Sequence, residues 1–386
     1  MIEKAFIKRA SKSYYLWLLF LLALIGMGGY YYMMQLSQGL AITGMNRDVT
    51  WGLYIAQFTF LVGVAASAVM VVLPYYLHNV KEFGKITVVG EFLAIASVIM
   101  CLLFIIVDMG MPQRLFNMIL YPTLHSPMFW DMVVLNGYLL INVVVGWTVL
   151  ESEWKKVSPP KWVKYLAYAS IPFAVAIHTV TAFLYSGIPG RDFWLSASIA
   201  PKFLVGAFAT GPALLILICF ALKRLTGFDA GKEAIRKLSL IVTYAFTITI
   251  FMLLMDIFVA FFSQVPSKMY ALTYMYFGLD GYNFLVPFMW VFVALSVLAL
   301  VLLINPKTRS NDTMLMIACA SVFIAMFIEK GLAFVPAGLV INPFGGVTEY
   351  IPSWPEVAIS IGIWAVGLFI LSILYKIVVT VKEEQV

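Results

Sequence analysis

Long apolar runs dominate this chain, and its polar residues are concentrated in the short stretches between them. About 20 apolar helical residues cross a hydrocarbon core about 30 Å thick, because each adds about 1.5 Å. Ten runs reach that length, at roughly 14–36, 51–77, 86–108, 129–150, 162–186, 198–222, 237–263, 283–304, 313–335 and 356–379. They are continuously apolar and do not alternate as barrel strands do. The pattern therefore predicts an all-α membrane protein with ten transmembrane helices.

Composition excludes most other classes of protein. Of the 386 residues, 63% are apolar and only 11% are charged, against about a quarter charged in soluble domains. With 30 Phe, 20 Tyr and 10 Trp, the chain has too much apolar surface to stay disordered in water. No polar stretch is long enough for a sizeable soluble domain. We therefore expect the function to be exercised within or at the edge of a membrane.

The basic residues predict an orientation. Nineteen of the 25 Lys and Arg fall at the two termini and in the even-numbered connections, which predicts a cytoplasmic-membrane protein with both termini cytoplasmic. We attribute the net charge of +6 to this asymmetry, and we do not expect a nucleic-acid partner. The first run is too long for a signal-peptide core and lacks a small-residue cleavage site, so we expect an uncleaved helix. The outer connections are longer and richer in Pro, Gly and aromatic residues, which favours a docking surface there.

Ionisable residues at bilayer depth are costly and by default indicate function. Most lie in the outer halves of the predicted helices, and these are Asp108, Asp131, His178, Lys202, Asp256, Glu329 and Lys330. We favour function over an inter-helix bond for Asp108 and His178. For Asp256 and Glu329, neutralisation by Lys202 or Lys330 is an equal alternative. Asp131 is expected to be a helix N-terminal acid that faces water.

Helical spacing groups several polar residues. Residues at i, i+3, i+4 and i+7 share a helix face, which places Asp131 with Tyr138 and Asn142, and His178 with Thr181 and Tyr185. Such stripes of donors, acceptors and rings suit a flat, mostly apolar ligand with polar ends. Glu91 is alone in an inner half. We interpret it as a proton relay, with snorkelling or pairing with Lys85 as open alternatives.

Signatures of resident cofactors are missing from the sequence. The three histidines, His78, His125 and His178, are too few for a dihaem cytochrome, which needs four axial ligands. The sequence has no Walker loop, no dinucleotide-type glycine motif and no metal-ligand cluster, and its three cysteines are isolated from one another. We predict no haem, metal or iron-sulfur cluster on this chain. Any electron transfer then requires centres on another subunit.

Several segments resemble the NrfD or polysulfide-reductase membrane-subunit family. They are WGLYIAQFTFLVGVAASAV from Trp51, VDMGMPQRLFNMI with Asp108, Pro112 and Arg114, SPMFWDMVVLNGYLLIN with Trp130 and Tyr138, the stretch from His178 to Phe203 with Pro189, Arg191 and Trp194, and GLVINPFGGVTEYIPSWPEV with Pro343, Tyr350, Pro352 and Glu356. The resemblance covers nearly the whole chain. Within the family, it is greatest to the DsrP group, also described as Hdr-like menaquinol oxidoreductase membrane subunits, with HybB-like relatives close by.

The resemblance implies an architecture. Helices 2–5 and 6–9 would form two four-helix bundles, with helices 1 and 10 packed outside. The corresponding divisions are 1–36 for the N-terminal helix, 37–187 for the first bundle, 188–336 for the second bundle and 337–386 for the last outer loop and helix. The sequence allows a parallel repeat of the two bundles. In this repeat, Asp108 and Asp256 occupy equivalent positions, and so do His178 and Glu329.

The resemblance also implies quinone chemistry. The family binds a quinone near the outer face and exchanges electrons with a ferredoxin-like iron-sulfur subunit. The corresponding quinone-binding positions are Asn46, Thr50, Trp51, Asp108, Arg114, Tyr138 and His178. Thr50 stands where relatives can place a histidine. We assign Glu91, Asp256 and Glu329 to a proton relay, and Arg191, Lys202 and Lys330 to structural charge pairing.

The resulting hypothesis is a non-haem membrane subunit that exchanges electrons between menaquinone or menaquinol and an iron-sulfur partner. Other membrane and cytochrome subunits would complete the complex, and coupling to proton translocation stays open. One alternative is a proton-coupled secondary transporter, which broken helices and inverted repeats would favour. The other is a passive membrane anchor for a redox complex, in which the buried charges would be dispensable.

Overall fold

Ten membrane-length helices organise the molecule. A computed structural model describes residues 11–78 and 80–383, and within them ten helices are long and apolar enough to cross a membrane. Their bounds are α1 Lys12–Ile42, α2 Leu53–Leu77, α3 Thr87–Asp108, α4 Pro127–Trp154, α5 Lys161–Ser186, α6 Ile199–Thr226, α7 Lys232–Phe262, α8 Val286–Ile304, α9 Asp312–Val340 and α10 Trp354–Lys382. The predicted all-α class and the ten helices are confirmed. Three of the basic residues used for the orientation, Lys4, Lys8 and Arg9, lie outside the described residues.

Short elements join these helices. Single helical turns occur at Gly39–Ile42 within the end of α1, and between helices at Lys81–Lys85, Pro112–Arg114, Asn117–Leu120 and Pro306–Arg309. A longer helix, Pro266–Tyr276, connects α7 to α8. In the part of the chain that the structure describes, extended pairing is limited to two isolated bridges, Leu279 with Tyr282 and Ile341 with Val347. We call the end that carries residues 43–52, 109–126 and 341–353 the outer end, after the predicted orientation.

The central helix α2 is interrupted near its middle. Its helical parts are Leu53–Ala65 and Val69–Leu77, separated by a turn of small residues. The backbone of Ser67 in this turn is so close to Gly211 of α6 that a Cβ there would lie 2.8 Å from the Ser67 nitrogen. The Tyr138 hydroxyl of α4 donates to the Ala65 carbonyl over 3.2 Å. Neighbouring helices thus hold the interruption, as irregular backbone at membrane depth requires.

Helix neighbours show where the core lies. In the first half, α2 packs on α3 and α5, and α4 packs on both α3 and α5. In the second half, α6 packs on α7 and α9, and α8 packs on the same two helices. The halves meet where α2 contacts α6 and α9. Nearly all of α2 is buried, whereas most of α1 and α7 faces outward. The division into two bundles and the four sequence ranges given for them stay predictions.

Helices α1 and α10 form a close pair that packs on α3 through α10. Their backbones approach at Gly28 and Gly362, where a Cβ on Gly28 would lie 2.8 Å from the Gly362 Cα. Small residues allow such contact, which supplies packing energy where lipid removes the usual hydrophobic driving force. The adjacent Gly29 has nothing within 4 Å of a built Cβ.

We predict that Gly28→Ala will destabilise the protein, because the new methyl group would collide with backbone atoms that cannot rotate away. The expected cost is about 1–3 kcal/mol. Thermal unfolding of the full-length protein in detergent measures it. Gly29→Ala is the matched control and should keep or slightly raise Tm, since alanine is the better helix former. Equal effects of the two substitutions would contradict the close approach.

Candidate functional site

Five aromatic side chains gather at the outer end, where α2 and α6 begin and α5 ends. They form the outer aromatic cluster, and they are Trp51, Tyr185, Trp194, Phe203 and Phe334. The ring centroids of Tyr185 lie 5.7 Å from Trp51 and 5.2 Å from Trp194. The Tyr185 hydroxyl shares a hydrogen bond with the Thr59 hydroxyl of α2. The cluster therefore presents flat apolar faces beside two hydroxyl groups.

A buried lysine borders this cluster. The Lys330 Nζ lies 4.6 Å from the Phe203 ring centroid and 3.4 Å from the Phe203 carbonyl oxygen. Gly206 leaves space for it, since a Cβ there would lie 2.7 Å from that Nζ. Lys330 belongs to a π-helical turn, Glu329–Ala333, inside α9. Such turns are frequent at functional sites.

Gln57 of α2 holds the π-helical turn in place. Its side-chain nitrogen donates to the Gly331 carbonyl over 2.7 Å, and its side-chain oxygen accepts from the Trp364 indole over 2.8 Å. One residue thus ties α2, α9 and α10 together. Gln57 was not predicted to have this role, although a glutamine inside an otherwise apolar run is a visible signal in the sequence.

His178 is fully buried in α5. Its Nδ1 lies 2.6 Å from the Ala174 carbonyl oxygen, and a carbonyl only accepts, so we assign the ring proton to Nδ1. The Nε2 is then an acceptor, and it has no hydrogen-bond partner among the described residues. Buried polar atoms are normally satisfied. The Val62 carbonyl of α2 also lies close to the imidazole, but it makes no hydrogen bond with Nε2.

Asp108 ends α3 at the outer end and is half-buried. Its Oδ1 is buried, with no hydrogen-bond partner in the part of the chain that the structure describes. The carboxylate lies within electrostatic range of the Tyr54 and Tyr185 hydroxyls. Tyr54 is anchored by the α1 residue Gln35, whose side-chain oxygen accepts from the tyrosine hydroxyl over 2.7 Å.

Glu356 organises the backbone around this region. Its Oε2 accepts from the amides of Gly44 over 2.6 Å and Ser353 over 3.0 Å. Its Oε1 accepts from the Tyr350 hydroxyl over 2.7 Å, and that hydroxyl in turn accepts from the Leu53 amide over 2.7 Å. Burial, together with the nearby Glu356 charge, raises the pKa of Tyr350. The first amide of α2 and the first turn of α10 are therefore linked through one buried carboxylate.

Two residues of the predicted stripes make structural bonds. Asp131 was expected to face water, but this is wrong, because it is buried and accepts from the Thr181 hydroxyl over 2.8 Å. Its position on α4 turns it towards α5, and a hydroxyl on that neighbour satisfies it. Tyr138 is also fully buried, and its hydroxyl is already bonded to Ala65.

Three predicted quinone-binding residues lie apart from the buried groups. Asn46, Thr50 and Arg114 are exposed. The Asn46 side-chain oxygen accepts from the amides of Asp48 and Val49, both over 2.9 Å. Asn46 thereby shapes the turn that leads into α2. Of the residues predicted at this helix start, Trp51 alone joins the outer aromatic cluster.

The predicted relay and pairing residues are satisfied to different degrees. Lys202 forms an ion pair with Asp256 over 2.5 Å. Asp256 is therefore neutralised by a lysine, which was one of the two alternatives for this residue. Glu329 keeps one carboxylate oxygen without a partner among the described residues. Glu91 is buried and neither of its oxygens has a described partner, so snorkelling and pairing with Lys85 are both wrong. Gly146 of α4 makes room for Glu91, since a Cβ there would lie 2.9 Å from Oε2.

Arg191 joins the outer loops by bonds to carbonyl groups and not by an ion pair. Its guanidinium donates to Leu339 over 3.1 Å, to Ile341 over 2.8 Å and to Asp48 over 3.2 Å. Partial burial lowers the pKa of Arg191, and Asp48 opposes that effect. The residue therefore fixes the end of α9 against the segment before α2.

Two cavities lie outside the buried groups described above. One of about 340 Å³ is lined at the outer end by Phe183, Ser186, Leu195, Ser196, Ala197 and Ala200. The other, of about 260 Å³, lies at the opposite end of α6. In the structure, the rings of the outer aromatic cluster pack against one another, so a flat ligand would have to part them. The described residues contain no group of three or more His, Cys, Asp or Glu placed to hold a metal ion.

The described residues form a ten-helix membrane protein in which several carboxylate oxygens and one histidine nitrogen are buried without a hydrogen-bond partner among those residues. The family model described as Polysulphide reductase, NrfD matches residues 41–342. The chain therefore belongs to the NrfD family, and the resemblance read from its motifs is confirmed.

Three individual relatives match between 62% and 98% of the chain. A putative dimethyl sulfoxide reductase membrane subunit from Halobacterium salinarum is 26% identical, covering 92% of this chain and 88% of that protein. An Hdr-like menaquinol oxidoreductase integral membrane subunit from Archaeoglobus fulgidus is 25% identical over 62% of this chain and 59% of that protein. A menaquinone reductase integral membrane subunit from Nitratidesulfovibrio vulgaris is 21% identical, covering 98% and 94%.

We predict that Glu356→Gln will loosen the outer end. The amide would turn one acceptor into a donor that faces the amides or the hydroxyl now bonded to the carboxylate. An unsatisfied buried group costs about 1–3 kcal/mol, measurable as a lower Tm and faster proteolysis of residues 341–353. Glu151→Gln makes the same chemical change at a surface position, where the ion pair with Lys155 contributes little to stability, and should be nearly neutral. Comparable losses in both variants would refute the anchoring role.

Proposed function

We propose that this chain is the membrane subunit through which menaquinone or menaquinol exchanges electrons with an iron-sulfur partner subunit. Membership of the NrfD family supports a role in a redox complex. Two relatives named for menaquinol oxidation and menaquinone reduction support the choice of quinone. The partner would dock at the outer end, where the connections are longest, with further membrane and cytochrome subunits beside it.

The observation that carries this proposal is that two buried atoms, Nε2 of His178 and Oδ1 of Asp108, have no hydrogen-bond partner among the described residues. Burying a polar atom at membrane depth without a hydrogen bond costs free energy. A ligand that forms this hydrogen bond removes the cost. Quinol hydroxyls are donors and match both acceptors. The neighbouring outer aromatic cluster offers faces for a flat ring.

The chain's residues have defined tasks in such a reaction. Oxidation of the quinol releases two electrons and two protons, and the redox chemistry belongs to the quinol and to the partner's centres. His178 Nε2 and Asp108 would accept the hydroxyl hydrogen bonds and then the protons. The Ala174 carbonyl keeps the Nε2 of His178 free for that task. Tyr138 would need to give up its bond to Ala65 before it could bind a ligand.

Parting the cluster would bring a flat ring into contact with Trp51 and Tyr185, whose ring planes stand at 86° to each other. The Thr59 and Tyr185 hydroxyls would then lie at its edge. Asn46, Thr50 and Arg114 are exposed at the outer end, so we assign them to the entrance and not to the buried contacts.

Quinone binding tests this proposal directly. We expect menaquinone to be extracted from the purified complex and expect His178→Ala and Asp108→Asn to bind it about tenfold or more weakly, because each removes one acceptor. Quinone content and quinol-dependent reduction of the partner are the measurements. His78→Ala, at the exposed inner end of α2 and away from the proposed docking surface, is the matched control and should behave as the wild type.

A complex that remains assembled and oxidises quinol normally after both substitutions would indicate a passive anchor. A complex without quinone or quinol-dependent reduction would favour the transporter alternative. Transporters form their substrate sites at interrupted helices, and α2 is such a helix. Assembly is checked by co-purification of the partner subunits, so that misfolding is not taken for loss of binding.

We further propose that Glu91 carries protons from the inner end. It is buried and unpartnered near the start of α3. It also lies within electrostatic range of the hydroxyls of Tyr76 and Tyr138. These groups would form part of a path between the inner end and the quinone. Asp256 and Glu329 would contribute to a relay in the second half only if the Lys202 pair opens.

We predict that Glu91→Gln will abolish generation of a membrane potential while quinol oxidation continues, because the amide cannot carry the proton. Proteoliposomes with a potential-sensitive dye measure both activities. Glu151→Gln, at an exposed inner position paired with Lys155, should leave potential and turnover unchanged. Survival of the potential in Glu91→Gln would remove Glu91 from the relay without affecting the quinone proposal.

A further inference from the structure

A charged cavity of about 260 Å³ lies at the inner end, far from the candidate quinone site. It is formed where α6 ends, α7 begins and the connection from α8 enters α9. Along α6, Lys223 at this cavity is 21 residues from Lys202, which corresponds to about 30 Å. Nothing in the proposed electron or proton chemistry uses this cavity.

Cationic side chains outnumber acidic side chains in the lining of the cavity. Its lining contains four cations and three acids, namely Lys223, Lys232, Arg236, Arg309, Asp229, Glu233 and Asp312. Asp229 is bound by Lys223 over 3.3 Å. The Gly231 amide and Lys223 hold the pKa of Asp229 below its usual range. This pair is therefore internally neutral.

The other two acids have local compensation. Glu233 lies in the first turn of α7 and Asp312 in the first turn of α9, where the helix dipole favours negative charge. Lys232 and Arg236 make no ion pair with any described residue. Arg309 donates one N–H to the Leu303 carbonyl over 2.8 Å, which orients its guanidinium without neutralising it. The lining therefore carries a net formal charge of +1, and Lys232, Arg236 and Arg309 are its cations that make no ion pair with a described residue.

Beneath the charges, the floor of the cavity is apolar. Cys219, Ala230 and Leu315 are buried there, and Phe220 and Ile235 are half-buried beside them. A soluble anion would use only the charged rim. A phospholipid has an anionic headgroup above apolar chains, which matches both parts, and basic pockets between transmembrane helices are typical sites for such headgroups.

We propose that this cavity binds an anionic phospholipid, with the headgroup phosphate at Lys232, Arg236 and Arg309 and the upper acyl chain against Phe220 and Ile235. The lipid would fasten the start of α7 to α6 and α9. This matters because α7 otherwise exposes most of its length. The proposal is independent of quinone binding, since it concerns the opposite end of the molecule.

Native mass spectrometry of the delipidated full-length protein tests the site. Phosphatidylglycerol and phosphatidylcholine are titrated separately, and we expect the first bound lipid to favour phosphatidylglycerol by about tenfold. Arg236→Gln and Lys232→Gln should each weaken phosphatidylglycerol about fivefold and leave phosphatidylcholine unchanged. Lys161→Gln is the matched control, because Lys161 is exposed at the same end, at the start of α5 and outside the cavity.

Three results would overturn the proposal. Equal binding of the two lipids would show that the charges do not select a headgroup. An equal loss in Lys161→Gln would indicate diffuse surface attraction and not a site. Inorganic phosphate that raises Tm as much as phosphatidylglycerol, and does so less in Arg236→Gln, would identify a free anion as the ligand.

Discussion

Within hydrocarbon, a polar group has no water to bond, so each donor and acceptor must find a partner inside the protein. Most of the buried polar side chains described here meet that requirement. Glu356 receives three hydrogen bonds, Gln57 connects three helices, and Asp131 is bonded to Thr181. Among the described residues, the exceptions are the hydroxyls of Ser296 and Ser360 and the titratable groups of Glu91, Asp108, His178 and Glu329. The four titratable groups are the informative ones, and they direct attention to ligand binding and proton transfer.

The hydrogen-bonded residues form a rigid framework around the groups that lack a described partner. Helix α2 is buried on nearly all sides, and its first amide is held through Tyr350 by Glu356. Its interruption is packed by the close approach of Gly211 and bonded by Tyr138. Gln57 couples the same helix to the π-helical turn that carries Lys330. Movement of a ring in the outer aromatic cluster would consequently be resisted by a framework spanning both halves of the chain.

Much of the chemistry was visible as residue types before any contact was known. Asp108, His178 and Glu91 were selected because a charged or titratable side chain inside an apolar run is unusual, and each has a buried side-chain atom without a hydrogen-bond partner among the described residues. Asp131 was misjudged, since its position near a helix start does not reveal whether a neighbouring helix covers it. Tyr185 was noted only as part of a stripe. Its contacts with Trp51, Trp194 and Thr59 come from separate elements.

The sequence by itself determined the class of protein, the ten helices and the family, because hydrophobic length and ordered motifs are local properties. It also identified which side chains are anomalous in a membrane. Tertiary structure alone decided which of these side chains are neutralised by a neighbour, as Asp256 is by Lys202. It also decided which keep an atom without a hydrogen-bond partner among the described residues, as His178 does. The physical reason is that hydrogen-bond satisfaction depends on atoms brought together from distant helices, and no local pattern specifies their distance or direction.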